Sequence, residues 1–232
     1  MPMKQSVPAD AIVVAAGKGA RLKSDLPKQF LPLADKPILA HTLSVFEQHR
    51  DIENIVIVGA QDWLFYLSSE IVDKYEIAKV RKIVAGGAER QHSVQAGLAS
   101  LEAAGRPVVI HDGVRPFVTA QLISRVIEGL VDADACIPVL PCTDTIKEVD
   151  GDWVKRTIPR AALRTVQTPQ AFQRQMLAEA LAAANRKGHF VTDEATLIES
   201  AGGKVRWVPG EAENIKITTE IDLKIAHVLA GK

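Results

Sequence analysis

Cysteine is scarce in this 232-residue sequence, which contains two, Cys136 and Cys142. They are too far apart for a Cys-x-x-Cys motif, so a redox or metal motif of that kind is excluded. The six histidines never fall at the spacing of metal ligands, and we find no pattern for a transition-metal site built by the protein. Reduced thiols in or near the core are typical of a cytoplasmic protein, which is the location we expect.

Net charge and long apolar runs are also missing. Lysine and arginine number 28, and aspartate and glutamate also number 28, so no overall basic field favours a nucleic-acid partner. No apolar run approaches the roughly 18 residues of a membrane-spanning helix, and residues 1–10 have no apolar signal-peptide core. We therefore expect no nucleic-acid and no membrane partner, and any anion site must come from a local cluster of cations.

What the sequence does contain is a regular alternation of short apolar runs and helical patterns. Strand-like runs begin at Ile12 and recur at residues 54–59, 80–85, 108–110 and 135–140; helical spacing occurs at 37–48, 62–75, 90–104 and 120–131. This order predicts an α/β fold with a Rossmann-like, doubly wound, mainly parallel sheet, in a single domain spanning residues 1–232. Ligands of such sheets bind beyond the carboxyl ends of the strands.

Residues 141–160 interrupt the alternation. Segments 143–149 and 153–158 each alternate polar with apolar side chains, and Asp150-Gly151 between them predicts a β-hairpin. Both faces are too polar for a core, so we expect an arm that projects from the sheet. A projecting hairpin is either loose or docked on a second subunit, and we favour docking in a homodimer.

The most informative stretch is the loop Gly17-Lys18-Gly19-Ala20-Arg21 that follows the first strand. Glycines let main-chain N–H groups approach a phosphate closely, and Arg21 and Lys28 add two cations beside the loop. Position 22 is leucine, so the third glycine of the dinucleotide fingerprint is missing, and no serine or threonine follows Lys18 as in a P-loop. The loop is a different kind of phosphate cradle or a structural turn.

Two further strand ends carry functional groups. Gly86-Gly87 precedes a helix that bears Ser93, a pattern suited to binding a base or a ribose, or to ordinary helix entry. Asp112 directly follows an apolar strand and offers a hard oxygen ligand for Mg²⁺ that is held mostly by ligand phosphates; an Asx turn is the alternative. These groups and the first glycine loop should share one edge of the sheet.

Two cations complete the candidate site. Arg115 follows the same strand as Asp112, and Lys216 lies between two isoleucines on an expected strand, where an anionic partner would offset its burial. No Ser-His-acid or Cys-His set stands out. These residue types fit phosphoryl or nucleotidyl transfer, in which positioning and charge neutralisation supply the catalysis and a substrate phosphate is the nucleophile.

Seven motifs follow one another along nearly the whole chain. They are Ala15-Ala16-Gly17-x-Gly19-x-Arg21-Leu22 with Pro27-Lys28-Gln29, Gly86-Gly87-x-x-Arg90-x-x-Ser93-Val94, His111-Asp112-x-x-Arg115-Pro116, Asp144-Thr145-x-Lys147, Thr168-Pro169-Gln170-x-Phe172, Thr192-Asp193-Glu194-Ala195 and Asn214-Ile215-Lys216-Ile217-Thr218. The first resembles the signature of sugar-phosphate nucleotidyltransferases. Together the seven resemble the 2-C-methyl-D-erythritol 4-phosphate cytidylyltransferases of the non-mevalonate isoprenoid pathway.

This resemblance implies an enzyme that transfers CMP from CTP to the sugar-alcohol phosphate and releases pyrophosphate, with Mg²⁺ or another divalent cation as cofactor. It implies catalytic roles for Arg21, Lys28 and Lys216; nucleotide contacts for Ala15, Ala16, Gly17, Gly19, Gly87, Ala88, Ser93 and Asp112, the last also holding the metal; and acceptor contacts for Arg115, Thr145, Arg160 and Thr192. Arg160 would reach into the pocket of the partner subunit.

Other interpretations stay open at this point. Ribitol 5-phosphate cytidylyltransferase shares the nucleotide motifs and differs mainly in the alcohol pocket. A non-catalytic nucleotide-binding module is disfavoured because Arg21, Lys28, Asp112 and Lys216 are all present. A dehydrogenase-like dinucleotide binder is disfavoured because the third glycine of the fingerprint is missing. One departure from the family is Gly113-Val114, where the family commonly has two alanines. We expect Gly113 to add backbone freedom and Val114 to add bulk beside the substrate.

Overall fold

The computed structural model describes residues 7–17, 26–102, 105–188, 190–191 and 193–231. Its strands are β1 (Ala9–Ala15), β2 (Pro32–Leu33), β3 (Lys36–Pro37), β4 (Ile52–Gly59), β5 (Val80–Ala85), β6 (Val108–Asp112), β7 (Ala135–Pro141), β8 (Ile146–Asp150), β9 (Trp153–Ile158), β10 (Arg164–Val166), β11 (Gln170–Phe172) and β12 (Val205–Pro209). Its helices are α1 (Ile38–Gln48), α2 (Leu64–Tyr66), α3 (Arg90–Ser100), α4 (Ala120–Glu128), α5 (Arg174–Arg186), α6 (Ala195–Ser200) and α7 (Glu220–Ala230). A 3-10 turn at Gln61–Trp63 and a π-helical segment at Leu67–Asp73 flank α2.

The main sheet has the strand order β12, β7, β10 with β11, β6, β1, β4, β5. β10 and β11 pair with successive parts of β7 and form one interrupted strand, antiparallel to both β7 and β6. The pairs β12–β7, β6–β1, β1–β4 and β4–β5 are parallel. The prediction of a mainly parallel α/β sheet is confirmed, and the antiparallel strand at its centre was not predicted.

Helices cover both faces of this sheet because its strands are apolar on both sides. Val13 of β1 belongs to a core with Leu43 of α1 and Ile123 of α4. Its neighbour Ile12 faces the opposite core, which contains Leu98 of α3. Successive strand side chains point to opposite faces, so an uninterrupted apolar run such as β1 is buried on both.

The C-terminal segment around Lys216 differs from its prediction. Residues 214–218 do not form a strand; a backbone bond from Ile217 N–H to the Val114 carbonyl, 3.0 Å long, joins the segment to the loop after β6. Ile217 is fully buried against Leu33 and Ile38. The apolar–polar alternation therefore reflects a single anchoring side chain and not sheet pairing.

The hairpin predicted within residues 141–160 is confirmed by its two paired strands, β8 and β9. β8 and β9 pair antiparallel from Ile146 opposite Ile158 to Asp150 opposite Trp153, and in the described part of the chain they pair with no other strand. Gly151 in the turn has φ +54, which suits glycine. Trp153 is 81% exposed. We call residues 141–160 the arm; its docking on a second subunit stays a prediction.

Helix α3 approaches the sheet closely at Gly97, and this contact sets the position of the helix. A Cβ at Gly97 would lie 2.7 Å from Cγ2 of Ile12 and 3.0 Å from Cγ2 of Val58. These distances are too short for a carbon–carbon contact, so only glycine allows the observed spacing.

We predict that Gly97→Val lowers the free energy of unfolding by about 1–3 kcal/mol because it overpacks this contact. Urea denaturation followed by circular dichroism measures the change. Ala99→Val, on the exposed side of the same helix, is the control for placing a valine in α3 without overpacking the sheet. Equal losses in the two variants would contradict close packing at Gly97.

Candidate active site

Four parallel strands end at one edge of the sheet, and the register places their last residues side by side. Val14 of β1 lies beside Asp112 of β6, and Gly59 of β4 lies beside Ala85 of β5. A cavity of about 200 Å³ opens at this edge; its lining residues are Val14, Ala15, Ala16, Gly17, Lys28, Gln29, Gly87, Ala88, Glu89, Arg90, Ser93, Asp112, Val114 and Lys216. The prediction that these strand ends share one edge is confirmed.

A second cavity of about 210 Å³ adjoins the first. It is lined by Arg90, Asp112, Arg115, Val166, Gln167, Thr168, Gln170, Asp193 and Lys216. The two cavities have Arg90, Asp112 and Lys216 in common, and we call these three residues the shared wall. Two molecules bound in the two cavities would therefore meet at one carboxylate and two cations.

Asp112 is the centre of the shared wall. Lys216 Nζ lies 2.9 Å from Oδ2, Arg115 Nε lies 3.6 Å from the same oxygen, and Arg90 lies 3.4 Å from Oδ1. Burial alone would raise the pKa of Asp112, but the charges of Arg90 and Lys216 outweigh it and hold that pKa well below its usual range. Asp112 is thus an ionised carboxylate, and the anionic partner expected for Lys216 is Asp112.

Arg90 joins this cluster to a second buried acid. Its guanidinium donates to both carboxylate oxygens of Glu194, which is 1% exposed at the start of α6. Burial raises the pKa of Glu194, and the adjacent Arg90 charge opposes that rise. Within the described residues, the cluster therefore combines three cations with two carboxylates, which leaves a net positive charge beside the cavities.

A buried chain of hydrogen bonds fixes the backbone around Asp112. The Asp112 N–H donates to Thr168 Oγ1 at 3.1 Å, which lies 3.0 Å from His111 Nδ1, while His111 Nε2 lies 3.3 Å from the Arg115 carbonyl. Burial lowers the pKa of His111 to about 3, so the imidazole is neutral at pH 7. Because a carbonyl only accepts, Nε2 carries the proton, and the Thr168 hydroxyl donates to Nδ1.

Lys28 reaches the first cavity from a short 3-10 turn, Lys28–Phe30. The buried Gln29 amide donates to the Ala15 carbonyl at 2.7 Å, which ties this turn to the end of β1. Phe30 packs against Trp63 and Tyr66, with ring centroids 5.3 and 4.7 Å apart. The motif Pro27-Lys28-Gln29 thus supplies a cation, Lys28, and the glutamine that anchors the turn of this cation to β1.

Most sequence-predicted site residues line a cavity. The first holds Ala15, Ala16, Gly17, Lys28, Gly87, Ala88, Ser93, Asp112 and Lys216, and the second holds Arg115. Thr145 and Arg160 line neither; both are exposed on the arm, where Arg160 donates to the Thr143 carbonyl. Gly19, Arg21 and Thr192 lie outside the described residues.

Gly113 and Val114, which stand where the family commonly has two alanines, differ from what we predicted for them. Gly113 has no left-handed backbone; it is tightly packed, since a Cβ there would lie 2.8 Å from Leu39 Cδ1 and 3.2 Å from the Val14 carbonyl oxygen. Its expected backbone freedom is therefore not used. Val114 lines the first cavity and is 5% exposed, because it also packs in the cluster that contains Ile217.

Six residues that line the second cavity or pair with its lining were not predicted as site residues from the sequence. They are Arg90, Gln167, Thr168, Gln170, Asp193 and Glu194. Five of them lie within the motifs quoted above, so their presence was visible, but no periodicity shows that Arg90 meets Glu194, which is 104 positions away. Asp193 also caps α6, because its Oδ1 accepts the Thr196 N–H at 3.1 Å.

The described residues contain no group of three or more His, Cys, Asp or Glu side chains placed to hold a metal. None of their helices is long and apolar enough to cross a membrane. Cys136 and Cys142 are both free thiols, and burial raises the pKa of Cys136 to about 11. The cytoplasmic location stays a prediction.

We predict that His111→Gln weakens the pH dependence of stability. Because the pKa of His111 is about 3 in the folded state and 6.5 in its ordinary state, the unfolded chain binds a proton that the folded chain does not, and stability falls as pH drops below 6.5. This costs about 1.4 kcal/mol per pH unit, so the stability difference between pH 7 and pH 5 should shrink by about 2 kcal/mol in the variant.

Urea unfolding at the two pH values measures this difference. Glutamine keeps one acceptor and one donor for the hydrogen-bond chain, and His227→Gln on the exposed face of α7 is the control. An unchanged difference in His111→Gln would contradict a neutral buried imidazole.

This chain matches one family of known proteins along nearly its whole length. A family model described as "IspD: 2-C-methyl-D-erythritol 4-phosphate cytidylyltransferase" matches residues 9–232. Proteins called 2-C-methyl-D-erythritol 4-phosphate cytidylyltransferase are similar to this chain in Alkaliphilus metalliredigens, at 46% identity over 93% of this chain and 90% of the relative, and in Halalkalibacterium halodurans, at 44% identity over 95% and 96%.

Solved structures show the same likeness. The 4-diphosphocytidyl-2C-methyl-D-erythritol synthase of Anaerococcus prevotii superposes with a TM-score of 0.86 at 30% identity, covering 98% of this chain and 97% of that one. The 2-C-methyl-D-erythritol 4-phosphate cytidylyltransferase of Thermus thermophilus gives a TM-score of 0.78 at 33% identity, covering 97% and 100%. With nearly the whole length matched in sequence and in fold, the chain belongs to the 2-C-methyl-D-erythritol 4-phosphate cytidylyltransferase family.

Proposed function

We propose that the two cavities together carry out the reaction of this family. The chain is a nucleotidyltransferase that transfers CMP from CTP to 2-C-methyl-D-erythritol 4-phosphate, giving 4-diphosphocytidyl-2-C-methyl-D-erythritol and pyrophosphate in the non-mevalonate isoprenoid pathway. The observation that carries the assignment of the site is the shared wall, where two adjoining cavities meet at Arg90, Asp112 and Lys216. The family match also selects methylerythritol phosphate over ribitol 5-phosphate as acceptor.

CTP occupies the first cavity in this proposal. The chain at the end of β1 offers main-chain groups for binding a phosphate. Gly17 has no side chain that would keep a phosphate away from them, and the space around it is open. Gly87, Ala88 and Ser93, at the entrance to α3, face the cytosine and ribose. Gly86 lets the chain before α3 lie close to the end of β1, because a Cβ there would lie 2.7 Å from the Ala16 Cβ.

The acceptor phosphate occupies the second cavity. Arg115 is buried there with one guanidinium nitrogen donating to the Asn214 carbonyl at 2.8 Å, so its orientation is fixed before a ligand arrives. Polar side chains dominate the remaining lining and suit a polyol. Thr192, beside Asp193 in the sequence, is proposed to contact the same ligand.

The chemistry takes place at the shared wall. An oxygen of the acceptor phosphate attacks the α-phosphorus of CTP in line, a new P–O bond forms, and the bond from the α-phosphorus to the bridging oxygen breaks as pyrophosphate leaves. Lys28, Lys216 and Arg21 stabilise the charge that develops on the phosphoryl oxygens. No side-chain nucleophile takes part, because the acceptor phosphate is already anionic.

Asp112 fits a Mg²⁺ ligand in this scheme. It is a hard carboxylate donor kept ionised at the wall between the cavities, and a cation bound mainly by substrate phosphates needs only one or two such groups. When bound, Mg²⁺ neutralises phosphate charge. The protein's contribution is the orientation of the Asp112 carboxylate by its three cationic neighbours.

The arm supports a homodimer. Thr145 and Arg160 are exposed and line neither cavity of their own chain, while Trp153, Val154 and Val149 are exposed apolar side chains on the hairpin. Docking the arm on a second copy would cover apolar side chains of the hairpin and bring both polar residues to the partner's acceptor cavity. The site is then complete only in the dimer.

The test of the reaction is pyrophosphate release with CTP and Mg²⁺. We expect turnover with 2-C-methyl-D-erythritol 4-phosphate and at least about 100-fold lower kcat/KM with ribitol 5-phosphate, as pockets that hydrogen-bond hydroxyls discriminate by such factors. No release with the first acceptor would refute the function.

The dimer proposal predicts that Arg160→Ala raises KM for the sugar-alcohol phosphate about tenfold or more, the value of one charge-assisted hydrogen bond, and leaves KM for CTP nearly unchanged. Arg156→Ala, exposed on the same arm, is the control. At acceptor concentrations well below KM, mixing Arg160→Ala with Lys216→Ala chains should restore about a quarter of wild-type activity, since half the dimers then contain one intact site. Failure to restore activity would place Arg160 outside the partner's pocket.

A further inference from the structure

Two of the three cations around Asp112, Arg90 and Lys216, are held by the protein in different ways. Within the described residues, Lys216 forms an ion pair with Asp112 alone, and its side chain is 39% exposed. Its ammonium group is a compact charge at the end of a flexible chain. Lys216 can therefore leave Asp112 at the cost of a single ion pair.

Arg90 is anchored on both sides. Its guanidinium donates to both oxygens of Glu194 and contacts Oδ1 of Asp112. It begins α3, Asp112 ends β6, and Glu194 precedes α6, so three elements meet at one planar group. Moving Arg90 would leave Glu194, 1% exposed, as an unpaired buried charge, which is strongly unfavourable.

This difference decides which cation responds to an incoming phosphate. Both line the first cavity, so both are attracted by the same anion. Lys216 would turn towards it because a single ion pair holds it, and Oδ2 of Asp112 would then lose its nearest partner. Arg90 would stay on Oδ1 and keep the carboxylate from rotating.

We propose that Arg90 and Glu194 form a brace that holds Asp112 in its working orientation while Lys216 transfers to the substrate phosphate. Both are positioning residues that act through Asp112. This inference rests on the proposed function, because it assumes that Asp112 serves the bound CTP and its cation.

The rival explanation is that this pair only stabilises the fold. A matched pair allows the comparison: Asp10 is 2% exposed and lies 3.4 Å from Arg106, whose side chain is 34% exposed, at the opposite end of β1 from the cavities. The variant Asp10→Asn/Arg106→Gln removes a similar buried pair far from Asp112.

The decisive variant is Glu194→Gln, which keeps an acceptor for Arg90 and removes the buried charge. Replacing a residue that orients a metal ligand costs 10–100-fold in activity or metal affinity, so we expect kcat to fall at least about tenfold. Isothermal titration with CTP, with and without Mg²⁺, gives a readout independent of turnover. The gain in CTP affinity caused by Mg²⁺ should shrink about tenfold, while the affinity without Mg²⁺ stays within about twofold.

A second variant guards against misfolding. Arg90→Gln/Glu194→Gln removes both charges together, so no unpaired charge stays buried. Its melting temperature should match that of the control pair, yet it should lose the same Mg²⁺-dependent gain in CTP affinity. In an Asp112→Asn background, Glu194→Gln should change CTP affinity no further, because the brace then has nothing to hold.

Three results would overturn the brace. One is kcat within twofold of wild type in folded Glu194→Gln. Another is an equal loss of kcat in the Asp10→Asn/Arg106→Gln control. The third is an equal loss of CTP affinity with and without Mg²⁺. A wild-type protein that binds CTP in a Mg²⁺-dependent way but releases no pyrophosphate would refute the proposed function, and the binding comparison would still decide the brace.

Discussion

A buried carboxylate surrounded by cations is the interaction on which the rest of the site depends. Asp112 is 6% exposed, and it keeps its charge only because Arg90, Arg115 and Lys216 stand around it. Those cations come from the start of a helix, a loop after β6 and an irregular C-terminal segment. The ion cluster therefore holds distant parts of the chain together, and the same excess of positive charge makes the cavity attractive to phosphates.

The neutral His111 stabilises the backbone that carries this cluster. Its hydrogen bonds with Thr168 and the Arg115 carbonyl determine where the backbone places Asp112 and Arg115. Charged groups at the surface of the cavity thus rest on an uncharged polar network in the core. Burial lowers the pKa of His111, and a positive charge on its ring would also be opposed by Arg115 and Lys216.

The strands that carry the site were predictable because β1, β4, β5 and β6 each contain a short apolar run, a pattern that buried parallel strands share. β11 was not, because Gln170-Ala171-Phe172 is too short to show a period and its burial comes from its place between β6 and β7. Strand ends likewise predicted Asp112 and the glycine loops. The pairing of Arg90 with Glu194 was invisible, since a contact between distant residues of one chain leaves no local pattern.

The central position of β11 has a consequence for folding. Its neighbour β6 lies about 60 residues earlier in the chain, and β1 lies a further hundred residues before β6, so the middle of the sheet forms through long-range pairings. Such pairings raise the contact order and slow folding. The cavity walls combine residues from Val14 to Lys216, and a nascent chain lacks a complete binding site until nearly all of it has been synthesised. A nucleotide therefore binds only the finished fold, and its binding energy stabilises the domain as a whole.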